Sequence, residues 1–455
     1  MDFCLFIIEF AVFSLFMLSV ILFIGSPLNA GYIIAMLNGV FILLPMFLFI
    51  IFQPSFLNYG MSALNISSEI YPYTKSQIWI VIICAFWLSG SFAAEKVRIY
   101  KNNMHIKIGY EKKISSLKIT IVGVFVTLLF IILAENANYS IIELILPSRK
   151  RVEDVYGSYY LSRMLVMIPA SAGILFALQK RKINLISLFL VLVSLLISAG
   201  IGQRRTIITI LISFVLSYIF YIQKAEKDNK KCKRKNVIRS IRTKTLLSLG
   251  ILSLLGPILW FARSYFTQLF SKNITNVVLP WHLRGFFELF FGSTASGFPT
   301  VVLTQEMISH TSIPWAYSLK FLLSSPIPRT IWPDKPMAPE SLLMSYYDIV
   351  TSPSMFIVSD LLLNFYIFAP IVALIFGFII SKFSKFLAKN ALFRNDKKIT
   401  HRKLYCIIYS ILLAQTIVMF KNGIVAFFIL MLLWSIITIF VYAVTRKYKL
   451  RFFPK

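Results

Sequence analysis

Acidic residues, histidines and cysteines are all scarce in this chain of 455 residues. Charged residues of both signs make up only 14%, where soluble domains carry about 25%. So few charges cannot coat a water-exposed surface, and a soluble globule is excluded. Four histidines are too few and too scattered to build a His-based metal centre. Cys4, Cys84, Cys232 and Cys406 lie far apart with no CxxC pair, which removes a disulfide framework and a zinc site. The GxSxG elbow, HExxH, the P-loop and a DxD-type nucleotide-sugar domain are absent as well. Energy from ATP is therefore not coupled within the chain.

Apolar residues are what the chain has in plenty: 58% of it, with a mean hydropathy of +0.77. That composition excludes disorder, because most of the chain must find burial. Eleven apolar runs reach the ~30 Å needed to cross a bilayer at about 1.5 Å per residue. They cover approximately 3–24, 30–52, 77–94, 118–134, 161–179, 184–201, 206–222, 245–262, 355–380, 404–420 and 423–444. The runs are continuous rather than alternating, which points to helices and not a β-barrel. The first lacks a basic lead-in and is long, so it reads as an uncleaved helix rather than a signal peptide. The expected fold is an all-α polytopic membrane protein of about eleven transmembrane helices. Residues 1–262 hold eight of them, 263–354 form one large outer loop with short helices, and 355–455 hold three more and a basic tail.

Net charge is +29, so its distribution matters. Thirty-three of the 47 Lys and Arg fall in five segments, 95–118, 180–182, 223–244, 382–403 and 446–455. Alternation along the spans puts all five on one side, the cytoplasmic one. The N-terminus is then outside and the C-terminus cytoplasmic, in a plasma membrane. The run at 224–235 serves as a topology signal and an anionic-lipid contact. No aromatic platform accompanies it, so nucleic acid is not an expected partner.

On the other side the mixture changes. Eight of the 14 outer cations are Arg, against nine of 33 inside. Lys suffices for retention, whereas Arg is favoured where a planar fork grips phosphate or carboxylate. The contrast suggests an anionic ligand outside; ion pairing with outer acids is the competing account. Gly202-Gln203-Arg204-Arg205 opens a helix at about Thr206, with free N–H groups, a positive dipole end and two guanidinium groups together. This suits phosphate or pyrophosphate at the membrane surface, or else a hairpin tip with snorkelling arginines. Arg163 and Arg263 border the hydrocarbon and need a partner, lipid phosphate or protein carboxylate. Arg284 and Glu288 stand at i,i+4 with His282 nearby, which reads as an intrahelical ion pair or as a carboxylate orienting Arg284. Asp360 and Asn364 are also i,i+4, inside an apolar span, where they could bind sugar or pair structurally with an Arg. In the loop, 299–309 and 314–324 read as short helices. Prolines from Pro326 to Pro339 then impose extended or turning backbone.

The stretch Ser325-Pro326-Ile327-Pro328-Arg329-Thr330-Ile331-Trp332-Pro333-Asp334-Lys335-Pro336 resembles the IPR-x-hydrophobic-x-P-x-KP pattern of bacterial oligosaccharide repeat-unit polymerases, the O-antigen polymerase (Wzy) type. Gly202 to Arg205 opening a helix, Asn364 in the span after the loop, and one dominant late outer loop are similar too. The resemblance covers about 160–400. It implies a membrane glycosyltransferase of the GT-C kind, without metal or cofactor. Such an enzyme transfers a growing glycan from undecaprenyl pyrophosphate to another lipid-linked repeat unit on the outer face, making O-antigen, capsule or exopolysaccharide. Implied partners are the lipid-linked donor and acceptor, with a flippase and a chain-length regulator of the same pathway. Arg284, Glu288, Arg329 and Asp360 would then be catalytic. Arg163, Arg204, Arg205, Arg263, His282, Lys335 and Asn364 would bind substrate. Two other classes share parts of this pattern, a lipid-oligosaccharide flippase and an O-antigen ligase-type transferase.

Overall fold

The computed structural model describes residues 3–47, 71–97, 115–136, 159–180, 183–200, 204–228, 243–245, 247, 297–324, 327, 331–347, 355–393, 402–419 and 423–445. Every regular element among them is helical. In chain order these are α1 (Phe3–Gly25), α2 (Ala30–Asn38), α3 (Tyr71–Lys96), α4 (Ser116–Asn136), α5 (Tyr159–Lys180), α6 (Leu185–Gly200) and α7 (Arg204–Asp228). They continue with α8 (Gly297–His310), α9 (Tyr317–Ser324), α10 (Pro339–Tyr347), α11 (Ile357–Phe365), α12 (Ala369–Ala388), α13 (Arg402–Met419) and α14 (Gly423–Thr445). A π turn, Gly39–Leu43, carries α2 onward, and another, Lys389–Phe393, follows α12.

Five helical stretches are long and apolar enough to cross a bilayer: Ile7–Gly25, Ala30–Phe47, Lys75–Lys96, Ile357–Leu392 and Ala426–Thr445. Four shorter apolar helices, from Leu117, Met164, Leu185 and Thr206, join them. Ten of the eleven apolar runs thus meet a helix, and the run 245–262 lies almost wholly outside the described residues. Large apolar side chains stand exposed along whole faces, among them Phe10, Ile21, Leu117, Phe125, Leu185 and Leu188. In water such faces would drive aggregation; in hydrocarbon they cost nothing. The architecture is that of a multi-pass membrane protein.

The chain divides into two compact units. The first comprises residues 1–99, 263–385 and 415–429. Its helices meet on small residues. A methyl group on Gly90 of α3 would collide with the Leu374 carbonyl of α12, and one on Gly377 with the Trp87 carbonyl. The two backbones therefore touch, which is how helices gain dispersion contact where lipid offers no hydrophobic drive. Trp87 closes the junction by donating from Nε1 to the Gly31 carbonyl of α2, 3.1 Å. At the far end of α12, Lys385 donates to the Glu95 carbonyl in the last turn of α3, and Lys382 to the carbonyl of Val97 just after it.

The segment expected to form the large loop is, where described, folded into this unit. The short helices read from sequence at 299–309 and 314–324 are present as α8 and α9. The first nine residues of α8 are buried, and Ser76 of α3 donates to Gln305 Oε1 at 2.8 Å. Leu303, Met307, Tyr317, Leu343, Met355 and Leu363 form one apolar cluster joining α8, α9, α10 and α11. Pro339 is the last of the prolines expected to impose extended or turning backbone, yet it opens α10. Pro339 occupies its first position, where the missing N–H costs nothing, and Glu340 follows in the first turn.

The second unit comprises residues 100–262, 386–414 and 430–455. Its α5 and α6 pack along their lengths, with Gly173 against the Ser187 carbonyl. Ser171 and Thr438 share a hydrogen bond of 3.1 Å. Arg402 and Lys403, both buried, pack against the Tyr221 ring, Lys403 donating to Gln179 Oε1 at 2.7 Å.

Candidate functional site

The described residues converge most tightly on Asp360 and Asn364. Their i,i+4 spacing puts both on one face of α11, as the sequence requires. They are 2% and 1% exposed. Asn364 Oδ1 accepts the N–H of Ser318, in the first turn of α9, at 2.7 Å. Asp360 Oδ2 accepts the N–H of Ile424, in the first turn of α14, at 2.8 Å. Each side chain thus caps a helix other than its own. The first N–H groups of a helix have no partner within it, and its N-terminus carries partial positive charge. A carboxylate set there is stabilised by the partial charge and by the N–H it accepts. Ser318 Oγ donates to Asp360 Oδ1 at 2.5 Å, and Asn364 Nδ2 reaches Asp360 Oδ1 at 2.8 Å and Ser318 Oγ at 2.9 Å.

The backbone around this cluster is unusual. Among the described residues, positive φ occurs at Ala316 (56°), Tyr366 (42°) and Gly423 (80°). All three adjoin the cluster. The Ala316 N–H donates to the Asn364 carbonyl at 3.0 Å, Tyr366 ends α11, and Gly423 precedes the N–H that Asp360 caps. A Cβ on Gly423 would stand 2.6 Å from Asp360 Oδ2. Left-handed backbone at Ala316 and Tyr366 costs about 1–3 kcal/mol each and collects at functional sites. Here it turns the chain sharply into α9 and out of α11. Each turn leaves aromatic side chains at the surface: Trp315, 63% exposed, packs edge-on against Phe365, and Tyr366 packs with Trp79.

Lys335 closes the proline-rich stretch. Its Nζ donates to the Ile327 carbonyl at 2.8 Å, spanning the motif from its Ile to its Lys. Of the other residues singled out by sequence, Arg204 and Arg205 are the first two of α7, and Arg163 lies in the first turn of α5. The side chains of these three lie outside the described residues, as do Arg263, His282, Arg284, Glu288 and Arg329 entirely. Among the described residues, Asp360, Asn364 and Lys335 therefore share one compact unit, and Asp360 touches Asn364.

Sequence reading missed Ser318, Ile424 and Glu306. The first two left no signal, because their role is set by which helix ends meet Asp360. Glu306 had one: it is the sole acid in α8. That helix surfaces only from Glu306 onward, with Ser309 and His310 exposed. Tyr347 of α10 donates its hydroxyl to the Leu303 carbonyl at 2.9 Å and lies 3.3 Å from Glu306 Oε2. Burial first, and then the Glu306 carboxylate, push the Tyr347 phenol above its ordinary value, so it acts as a donor. Among the described residues no three His, Cys, Asp or Glu side chains come together as a metal site. Comparison with protein-family models, curated proteins and solved structures finds no match.

Proposed function

We propose that the chain is a membrane glycosyltransferase that polymerises undecaprenyl-pyrophosphate-linked repeat units into surface polysaccharide on the outer face of the plasma membrane. The observation that carries this is the Ile327–Pro336 motif, IPRTIWPDKP, in a segment that is packed helix against helix with its Lys335 closing the stretch. A folded segment of this size beside apolar helices suits a binding or catalytic element better than a tether. Arginine enrichment on the same side, including Arg204 and Arg205 at the opening of α7, supports an anionic, phosphate-bearing substrate.

In this reading about eleven helices span the membrane, with the N-terminus outside and the basic tail in the cytoplasm. The fold is of the GT-C kind. An acceptor hydroxyl attacks the anomeric carbon of the donor glycan. The C–O bond to pyrophosphate breaks, the electron pair leaves with undecaprenyl pyrophosphate, and the hydroxyl proton passes to a base. Arg284 and Arg329 stabilise the charge that develops on the leaving group, while Arg204, Arg205 and Arg263 serve phosphate binding. Asp360 and Asn364 position the aromatic end of α9 by holding its first turn.

Purified protein, supplied with lipid-pyrophosphate-linked repeat units alone, should build a ladder of longer glycans without ATP or nucleotide sugar. Cells lacking the gene should keep single repeat units on the carrier or as one-unit caps at the surface. An unchanged ladder in those cells, or a strict need for nucleotide sugar, overturns the proposal.

A further inference from the structure

We infer that the exposed last turn of α8, with Tyr346 and Tyr347 of α10, forms a glycan-binding subsite in which the Glu306 carboxylate accepts sugar hydroxyls and Tyr346 packs on an apolar sugar face. This deepens the polymerase reading and rests on it for the identity of the glycan, but not for the existence of the subsite.

The argument starts from how α8 is buried. Residues Gly297 to Gln305 are enclosed, so the helix is an anchored element and not a loose connection. Only its end emerges, and Glu306, Ser309 and His310, at i, i+3 and i+4, share the emerging face. Glu306 is half-buried, while Ser309 and His310 are exposed. The Tyr347 hydroxyl lies nearer the Leu303 carbonyl than Glu306 Oε2, so its proton goes mainly to the carbonyl. The carboxylate keeps most of its acceptor capacity for a ligand.

Tyr347, whose hydroxyl lies 3.3 Å from Glu306 Oε2, joins the carboxylate to an aromatic pair. Tyr346, 41% exposed, meets Tyr347 edge-to-face with ring centroids 4.7 Å apart. Tyr347 is pinned by its hydroxyl, so the Tyr346 ring is buttressed and loses little freedom on binding. A carboxylate and a buttressed exposed ring, joined through Tyr347, match a sugar, which offers adjacent hydroxyls on one edge and C–H groups on a face. A divalent cation is a poorer fit, because Glu306 stands as a single carboxylate on α8.

The test uses the full chain purified in detergent, and repeat-unit oligosaccharides cut from the surface polysaccharides of the host cells. Wild type should bind the oligosaccharide. Glu306→Gln and Tyr346→Ala should each weaken binding about tenfold, the effect of losing one charge-assisted hydrogen bond or one stacking face. Tyr346→Phe, which keeps the ring, should bind within about twofold of wild type. In the polymerisation assay the two weakened variants should raise KM and leave kcat near normal. Binding within twofold of wild type in both Glu306→Gln and Tyr346→Ala overturns the subsite, whatever happens to turnover. An unchanged glycan ladder in deletion cells, with binding still dependent on Glu306, overturns the polymerase reading and leaves the subsite standing.

Discussion

A carboxylate taken out of water costs several kcal/mol unless its charge is compensated. Asp360 is compensated by the first turn of α14, the Ser318 hydroxyl and the Asn364 amide. Asp360→Ala should leave the Ile424 N–H and the Ser318 hydroxyl buried without this acceptor, and lower stability by about 3 kcal/mol. Thermal unfolding in detergent would show it; an unshifted midpoint would remove the capping account. Ala316→Gly should do the reverse. It relieves a left-handed Ala that costs about 1–2 kcal/mol, against roughly 0.5–1 kcal/mol of added freedom in the unfolded chain. The same measurement should give a small rise. The arginines carry the functional prediction. Arg204→Ala, Arg205→Ala, Arg263→Ala, Arg284→Ala and Arg329→Ala should lose long glycans at near-normal protein level. Arg→Lys should rescue weakly, because Lys presents a point charge rather than a fork. Normal glycan gels from all five Ala variants would sink the phosphate clamp.

At the scale of elements, the α3–α12 contact tolerates little change. Gly90 and Gly377 place each helix against the other's backbone, so no flexible side chain can move aside. Gly377→Leu should therefore separate the helices and cost more than about 3 kcal/mol, beyond ordinary overpacking. Protein that fails to accumulate in membranes, or unfolds early in detergent, is the expected outcome; wild-type behaviour would mean that this contact is not tight. The break between α11 and α12 is of another kind. Pro370, in the first turn of α12, has no N–H for the Tyr366 carbonyl four residues back, so one continuous helix is broken there; the turn is then held by the two caps on α11 and by Tyr366 against Trp79. Hydropathy reads 355–380 as one span, because a bend with apolar residues at it leaves apolarity unbroken.

For the whole molecule, the Lys/Arg distribution makes a prediction about sidedness. Reporter fusions after Ala338 should report the outer side, and fusions after Lys389 the cytoplasm. A cytoplasmic signal at Ala338 would put the folded segment on the wrong side for lipid-linked glycans and remove the proposed function. Many exposed Phe, Leu and Ile side chains on α1, α4 and α6 agree with lipid contact, whichever way the chain is oriented.

The helical class, and the places where ten of the eleven apolar runs meet a helix, were legible because hydrocarbon imposes a minimum apolar length, and that length is written locally in the chain. The pairing of Asp360 with Asn364 was legible for the same reason: four residues make one helical turn. Their partners were not. Ser318 is 42 residues and Ile424 64 residues from Asp360, and no local signal says that the first turns of α9 and α14 arrive at α11. Nor could sequence tell that α8 is buried until its last turn, since exposure is a property of what packs alongside. Local apolar length determined the helices. Only tertiary packing decided which helix ends meet, which carboxylate is spent on caps, and which, at Glu306, is left facing outward.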